Sequence, residues 1–137
     1  MESEKRVAFV SGANRGIGFG LTLEMAQHGC KVAAGYRDLG RSEKLLAEAE
    51  KQRNILPVKV DVTIEDDLKH LYRFIENHCG HLNILVNSAG VSINESAEVN
   101  KLDWEDLARN LEVNVGGPLM TSKILYPCSK RERRRRS

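Results

Sequence analysis

Arg6-Val7-Ala8-Phe9-Val10-Ser11 runs into Gly12-Ala13-Asn14-Arg15-Gly16-Ile17-Gly18, and the join between these two stretches decides the fold. The first is a short, nearly all-apolar run, the pattern of a strand covered on both faces. Beyond the glycines, Ile17, Leu21 and Met25 mark one face of a helix closed by Gly29. In such a strand–turn–helix unit one glycine permits the tight turn, a second lets the backbone approach a diphosphate, and a third lets helix and sheet pack closely. The diphosphate would sit on the free N–H groups and positive dipole end of the helix beginning near Gly16. The competing reading is a glycine-rich surface turn, against which stand the strand before it and the helix after it.

The alternation continues outward. Residues 31–35 form a second apolar run, after which Ser42 can cap a helix to about Lys51 with Leu45, Leu46 and Ala49 facing inward. A third strand is expected over residues 57–62. Thr63 is then a candidate N-cap for a helix whose first turn carries Glu65, Asp66 and Asp67, the acids a helix dipole favours, and whose apolar stripe is Ile64, Leu68, Leu71 and Ile75. Gly80 ends it, and residues 82–87 read as a fourth strand. Helical character returns over residues 103–126, with a break expected near Asn114 or at Gly116-Gly117-Pro118. Four apolar strands, each followed by a helix, imply an α/β fold: a doubly wound, Rossmann-type parallel sheet with right-handed crossovers.

A chain of 137 residues has room for one such domain, read as residues 1–127, followed by a basic, disordered tail over 128–137. Six bases and one acid, Glu132, fall within residues 130–137, whereas the rest holds 15 of the 21 bases and 18 of the 19 acids. The positive charge therefore belongs to the tail and not to a face of the domain. No apolar run approaches the ~20 residues that span a bilayer. The charged N-terminus leads directly to a strand, so no signal peptide is expected. Cys30, Cys79 and Cys128 have no paired spacing and read as reduced thiols of a cytoplasmic protein. His78-Cys79-Gly80-His81 resembles a metal-ligand cluster, but a helix end at Gly80 accounts for it better, so no metal is expected.

The spacing Gly12-x-x-x-Gly16-x-Gly18, with Ser11 where a threonine is usual, resembles the short-chain dehydrogenase/reductase family. Three further motifs follow in the family's order. Asp61-Val62, at the end of the third strand, matches the aspartate that contacts the adenine ring. Asn87-Ser88-Ala89-Gly90 is similar to the family's Asn-Asn-Ala-Gly, with serine second. Val113-Asn114-Val115 with Gly117 resembles the segment that supplies the family's catalytic asparagine. The resemblance implies a strand order 3-2-1-4, cofactor contacts from Ser11, Gly12, Asn14, Arg15, Gly16, Ile17, Gly18, Asp61, Val62, Asn87, Ala89 and Gly90, and a catalytic role for Asn114. Each of the later motifs has a plainer alternative: Asp61 as a strand-ending residue, Asn87 as a turn former, and Asn114 as a polar residue in a helix kink.

The cofactor is read just past the second strand, where an acid selects the ribose hydroxyls of NAD and an arginine meets the 2′-phosphate of NADP. Here Tyr36-Arg37-Asp38 follows that strand. Arg37, aided by Arg15 from the glycine loop, points to NADP, with NAD through Asp38 as the runner-up.

In complete family members, the resemblance implies a serine and a Tyr-x-x-x-Lys pair beyond Asn114, with the tyrosine as general acid and the lysine lowering its pKa. Tyr126-Pro127-Cys128-Ser129-Lys130 has that spacing. It begins too soon after Asn114 for an intervening strand, and Pro127 should disrupt a helix reaching Lys130. The expectation is therefore a relative carrying the N-terminal half only, truncated before its acid–base residues and weak or inactive alone. Ile84-Leu85-Val86 would then be an open sheet edge, to be covered by a homo- or hetero-oligomeric partner. Two alternatives stand beside an oxidoreductase: a non-catalytic cofactor- or partner-binding module, and a nuclear-import or nucleic-acid role for the arginine run. The last is disfavoured against a merely solvated extension.

Overall fold

A computed structural model of the chain describes residues 5–91 and 98–136, with side chains through Lys130. Four strands, β1 (Val7–Val10), β2 (Lys31–Tyr36), β3 (Ile55–Lys59) and β4 (Ile84–Val86), form one parallel sheet in the order β3-β2-β1-β4. Helices α1 (Gly16–Gln27), α2 (Glu43–Lys51), α3 (Glu65–His78), α4 (Trp104–Leu111) and α5 (Gly117–Arg136) join and follow them. The doubly wound α/β architecture and its strand order are those expected from the alternation of elements.

Alternation along β1 divides the core. Val7 and Phe9 face α3 and α5, packing with Leu68, Leu71, Ile75 and Leu125, while Ala8 and Val10 face α1 and α2, packing with Ala26 and Leu45. Small residues predominate on the second face because α1 lies close to the sheet. Its buried stripe is Gly18, Thr22 and Ala26, one position on from the Ile17, Leu21, Met25 face marked by hydrophobicity. Ile17 is 78% exposed. Size, not hydrophobicity, chooses the inward face here: a Cβ on Gly18 would lie 2.2 Å from the Gly12 carbonyl oxygen.

Several element ends differ from expectation. β3 spans Ile55–Lys59 and not residues 57–62, because Ile55 is already paired with Val32. Pro57 is tolerated because β3 is an edge strand. Thr63 does not cap α3; Ile64 occupies that position and is 47% exposed, and Thr63 turns its hydroxyl to Asp61. Ser42 precedes α2 but spends its hydroxyl on the Asp38 carbonyl at 2.6 Å. Gly29 and Gly80 close α1 and α3 with positive φ of 90° and 81°, as their sequence positions suggest.

The expected break after α4 is a π-helical turn over Glu112–Gly116, centred on Asn114. From there α5 runs back along the sheet on a narrow buried stripe, Gly117, Thr121, Leu125 and Cys128. The backbone continues helically through Pro127 to Arg136, against the expectation that the proline ends it and that residues 128–137 form an extension without structure. Packing explains the difference: Leu125 and Cys128 flank Pro127 and are both buried, and the Cys128 carbonyl accepts the Leu82 N–H at 3.3 Å. Tertiary contacts on both sides outweigh the one helical hydrogen bond that a proline removes.

No helix among the described residues is long and apolar enough to cross a membrane. None of the described His, Cys, Asp and Glu residues form a group that could hold a metal ion. In the His78–His81 segment, Nδ1 of His78 lies 3.0 Å from the Phe74 carbonyl, and burial pushes the Cys79 thiol pKa up, partly opposed by Lys31.

Candidate cofactor crevice

The chain leaves β1 and β4 in opposite directions, and parallel sheets open a crevice at such a point, outside the C-terminal ends of the strands. A cavity of about 340 Å³ lies there, lined from four separate loops. Gly12, Asn14, Arg15, Gly16 and Ile17 follow β1; Arg37, Asp38 and Arg41 follow β2; Val60, Asp61 and Val62 follow β3; residues 88–91 follow β4; and Val113 closes one side.

The glycine loop is shaped by two different demands. Gly12 (φ +60°) is pressed against β4's loop, where a Cβ would lie 2.8 Å from Ala89 Cα. Gly16 (φ +57°) opens α1 and has nothing within 4 Å of where its Cβ would stand. It therefore leaves a vacant shelf beside the unpaired N–H groups of a helix start, the space and polarity that a diphosphate requires. The side chain of Asn14 ties this loop to the next, donating to the Arg41 carbonyl at 3.3 Å.

Ser11 does not line the cavity. It is buried, and its hydroxyl oxygen accepts the N–H groups of Ser88 and Ala89, each at 3.0 Å. Its task is to hold the β4 loop against β1, so the expected direct contact becomes a supporting one. Gly18 is likewise a packing glycine, and the exposed Asn87 also lies off the cavity wall.

Three arginines line the cavity, Arg15 from the loop after β1 and Arg37 and Arg41 from the segment after β2. Asp38 is already engaged: Oδ1 accepts the Gly40 N–H at 2.9 Å, and Oδ2 lies 3.6 Å from Arg41 Nε. Asp61 has its Oδ1 fixed by the N–H and hydroxyl of Thr63, at 2.9 and 2.6 Å. Burial by itself would raise the pKa of this carboxyl. The Thr63 hydrogen bonds, with Arg37 and Arg109 in the vicinity, outweigh burial and hold it below its ordinary 3.8.

Asn114 reaches the same region indirectly. Its Oδ1 accepts the Val91 N–H and its Nδ2 donates to the Val91 carbonyl, both at 2.8 Å. Both ends of the amide are thus occupied with the backbone that follows β4.

Tyr126 and Lys130 stand elsewhere. They are one turn apart on α5, with Lys130 Nζ 5.0 Å from the centre of the Tyr126 ring. Gly117, at the start of α5, abuts Val62 beside the crevice, whereas Cys128 meets Leu82 at the opposite, N-terminal end of β4. Nine residues of helix carry Tyr126 about 14 Å from Gly117. The two residues have the spacing of an acid–base pair and the wrong end of the sheet.

Sequence reasoning overlooked Arg41, Val60, Ser88, Val91 and Val113 as lining residues. Arg41 ends the short 3-10 turn Leu39–Arg41, four residues past Arg37. Ser88 and Val113 lie within the quoted motifs, whereas Val60 and Val91 had no local signal.

A family model described as short chain dehydrogenase matches residues 6–135. Among curated relatives, (+)-borneol dehydrogenase 2 of Salvia officinalis is 31% identical, over 91% of this chain and 46% of its own length. Farnesol dehydrogenase of Aedes aegypti is 32% identical, over 92% of this chain and 52% of its own. An NADPH-bound carbonyl reductase from chicken fatty liver superposes with a TM-score of 0.84 at 26% identity, covering 92% of this chain and 52% of that one. A Serratia marcescens short-chain dehydrogenase/reductase superposes at 0.80 with 31% identity, covering 92% and 51%. The chain thus spans about half the length of the relatives it matches.

Proposed function

This chain belongs to the short-chain dehydrogenase family, and from that premise we propose that it binds NADP(H) in the crevice at the ends of its strands and supplies the cofactor half of a carbonyl–alcohol oxidoreductase. The observation that carries the reading is that three arginines, Arg15, Arg37 and Arg41, line the same cavity as Gly16 and Asp61. Planar guanidinium groups pair strongly with a phosphate dianion and have little use for a bare ribose diol. Asp38, the residue that would favour NAD, is committed to Gly40 and Arg41. The NADPH carried by the chicken carbonyl reductase, a neighbour in structure, is in keeping with this preference.

In this reading the backbone at Gly12–Gly16 would hold the diphosphate, Asp61 the adenine, and Arg37 with its two neighbours the 2′-phosphate. Bound NADP(H) supplies or accepts hydride at the substrate carbon. The oxygen of that substrate also needs a proton donor titrating near neutrality. The described lining contains no tyrosine, lysine, histidine or cysteine. Asn114 holds Val91 and moves no proton. These 137 residues are accordingly expected to bind cofactor well and to turn over carbonyl substrates weakly or not at all alone.

Exposed apolar residues favour a second role as a partner-binding module. Trp104, Leu107, Leu111, Val115 and Leu119 follow one another at helical spacing along α4, the π-turn and α5, with Trp104 83% exposed. An apolar run of this kind is characteristic of an interaction face, which would include a partner covering the β4 edge.

Titration of the chain with NADPH and NADH, followed by nicotinamide fluorescence, tests the proposal. NADPH is expected to bind at least about tenfold more tightly, the equivalent of ~1.4 kcal/mol. A folded chain that ignores both at ~1 mM, a level corresponding to only about 4 kcal/mol of binding, overturns it.

A further inference from the structure

We infer that the last turns of α5 are a DNA-binding arm: a basic helix suited to the major groove of a B-form duplex, leaving the domain at the end of the sheet opposite the crevice. The inference does not depend on the NADP(H) reading above.

Position comes first. α5 starts beside the crevice, where Gly117 abuts Val62, and by Cys128 it has reached Leu82, just before β4. Its backbone stays helical to Arg136, where composition alone favours a solvated extension. The residues after buried Cys128 therefore add about 12 Å of helix. Lys130, Arg131 and the run Arg133–Arg136 fall in this arm, and Glu132 is the single acid beyond Glu112. More bases stand at the same end of the sheet. Exposed Lys5 and Arg6 precede β1, and exposed Arg53 precedes β3. Backbone bonds from Lys31 to the Arg6 carbonyl (2.8 Å) and from Val32 to the Asn54 carbonyl (2.7 Å) bring these strand starts together.

Shape selects the partner. At about 100° per residue, the six basic positions encircle the helix axis, leaving no gap wider than about 100°. A flat anionic surface such as a bilayer meets only one side of such a helix, and residues 129–136 include no apolar residue to bury in it. A groove walled by phosphates on both sides meets every position. The major groove of B-DNA, about 12 Å wide, admits a helix, whereas that of A-form RNA is too narrow. Five of the six bases are arginine, the residue whose planar fork pairs best with phosphate. Such contacts fix position on the duplex without reading its sequence. Like charges four apart, Lys130 with Arg134 and Arg131 with Arg135, weaken the isolated helix, and neutralisation by phosphate relieves them.

Fluorescence anisotropy of a labelled, mixed-sequence DNA duplex, titrated with the 137-residue chain at several salt concentrations, tests the inference. Binding is expected, with a log–log salt slope of about −4 to −5, as for about five neutralised phosphates. Replacing Arg133, Arg134, Arg135 and Arg136 together by alanine should weaken it at least about tenfold and reduce the slope by about 3–4. Lys44→Ala with Lys69→Ala, exposed positions on α2 and α3, should change affinity less than about twofold. Ser129→Pro keeps every charge and interrupts the helix, and should weaken duplex binding at least about fivefold. A Ser129→Pro protein that is folded by circular dichroism and binds like the parent overturns the helical arm. Equal affinity for an RNA duplex, or tighter binding to phosphatidylserine vesicles, overturns the groove assignment. Absence of duplex binding at low salt overturns the inference outright, as does competition by NADPH, which would put the DNA on the crevice arginines. Failure of NADPH itself to bind bears on the crevice alone.

Discussion

Asn114 and Val91 pair like neighbouring strand residues: the side-chain amide of one mimics a peptide group and exchanges two hydrogen bonds of 2.8 Å with the backbone of the other. The π-turn over Glu112–Gly116 carries that amide, and the partner is the first residue after the Asn87–Gly90 segment. The irregular helix and the β4 loop are thereby a single unit beside the cavity.

Asn114→Ala removes both bonds and should lower stability by about 1–3 kcal/mol, at ~0.5–1.5 kcal/mol for each. Asn114→Asp should be no better, because a carboxylate has no donor for the Val91 carbonyl. Urea denaturation of the two variants beside the parent chain checks this; an Asp variant as stable as the parent would mean that only the Val91 N–H contact counts.

The glycines should separate packing from binding. Gly18→Ala sets a Cβ 2.2 Å from the Gly12 oxygen and is expected to cost about 3 kcal/mol or more through overpacking. Gly16→Ala meets no atom within 4 Å and pays only for its φ of +57°, about 1–2 kcal/mol. It nevertheless fills the shelf, so a folded Gly16→Ala protein should lose NADPH binding. Circular dichroism melts and a nucleotide titration on each variant decide the matter.

Arg37→Ala should weaken NADPH by roughly 10- to 100-fold, the equivalent of a lost charge-assisted hydrogen bond of ~1.5–3 kcal/mol, and leave NADH within about twofold. Equal losses for the two nucleotides would show Arg37 serving the diphosphate and not the 2′ position. Direct binding measurements at fixed ionic strength are required, because phosphate contacts are screened by salt.

Asp61 predicts a pH dependence with a definite sign. Its folded-state pKa lies below its ordinary 3.8. The stability it contributes is therefore present above that value and is lost as the pH falls through the lower folded-state pKa. Asp61→Asn should flatten this acid limb of the stability profile. Thr63→Val, which deletes only the 2.6 Å hydroxyl donor, should raise the Asp61 pKa toward its ordinary value in a carboxyl-carbon NMR titration. An unchanged titration would assign the depression to the Thr63 N–H, with Arg37 and Arg109.

The architecture was legible because its signals are local. Val7–Val10 is a strand buried on both faces and reads so from four consecutive apolar residues. Leu68, Leu71 and Ile75 line α3 at the spacing the helix requires. Elsewhere periodicity misled. In α1 the fully buried stripe is Gly18, Thr22 and Ala26, because closeness to the sheet admits only small residues, while Ile17 and Leu21 are exposed. In α5 the rule against proline yields to Leu125 and Cys128, whose burial keeps the backbone helical across Pro127.

The candidate site divides along the same line. Glycine spacing marked the tight turn between β1 and α1, where Gly12 and Gly16 take positive φ, since such a turn is a demand that neighbouring residues express directly. The roles of Ser11 and Asp38 were invisible, because a hydroxyl or carboxylate is defined by its partner, and those partners are Ser88 and Ala89 in one case and Gly40 and Arg41 in the other. Tyr126 and Lys130 show the converse, correct in spacing yet set at the far end of the sheet.

The order of strands and helices, and the glycine turn that opens α1, follow from the linear chain, because both arise from hydrophobic periodicity and from residues adjacent in sequence. Which side chains share the crevice was decided only in three dimensions. Arg15, Arg37, Asp61 and Ala89 come from four separate loops, and the pairing of β3, β2, β1 and β4 in parallel register is what brings those loops to one end of the sheet.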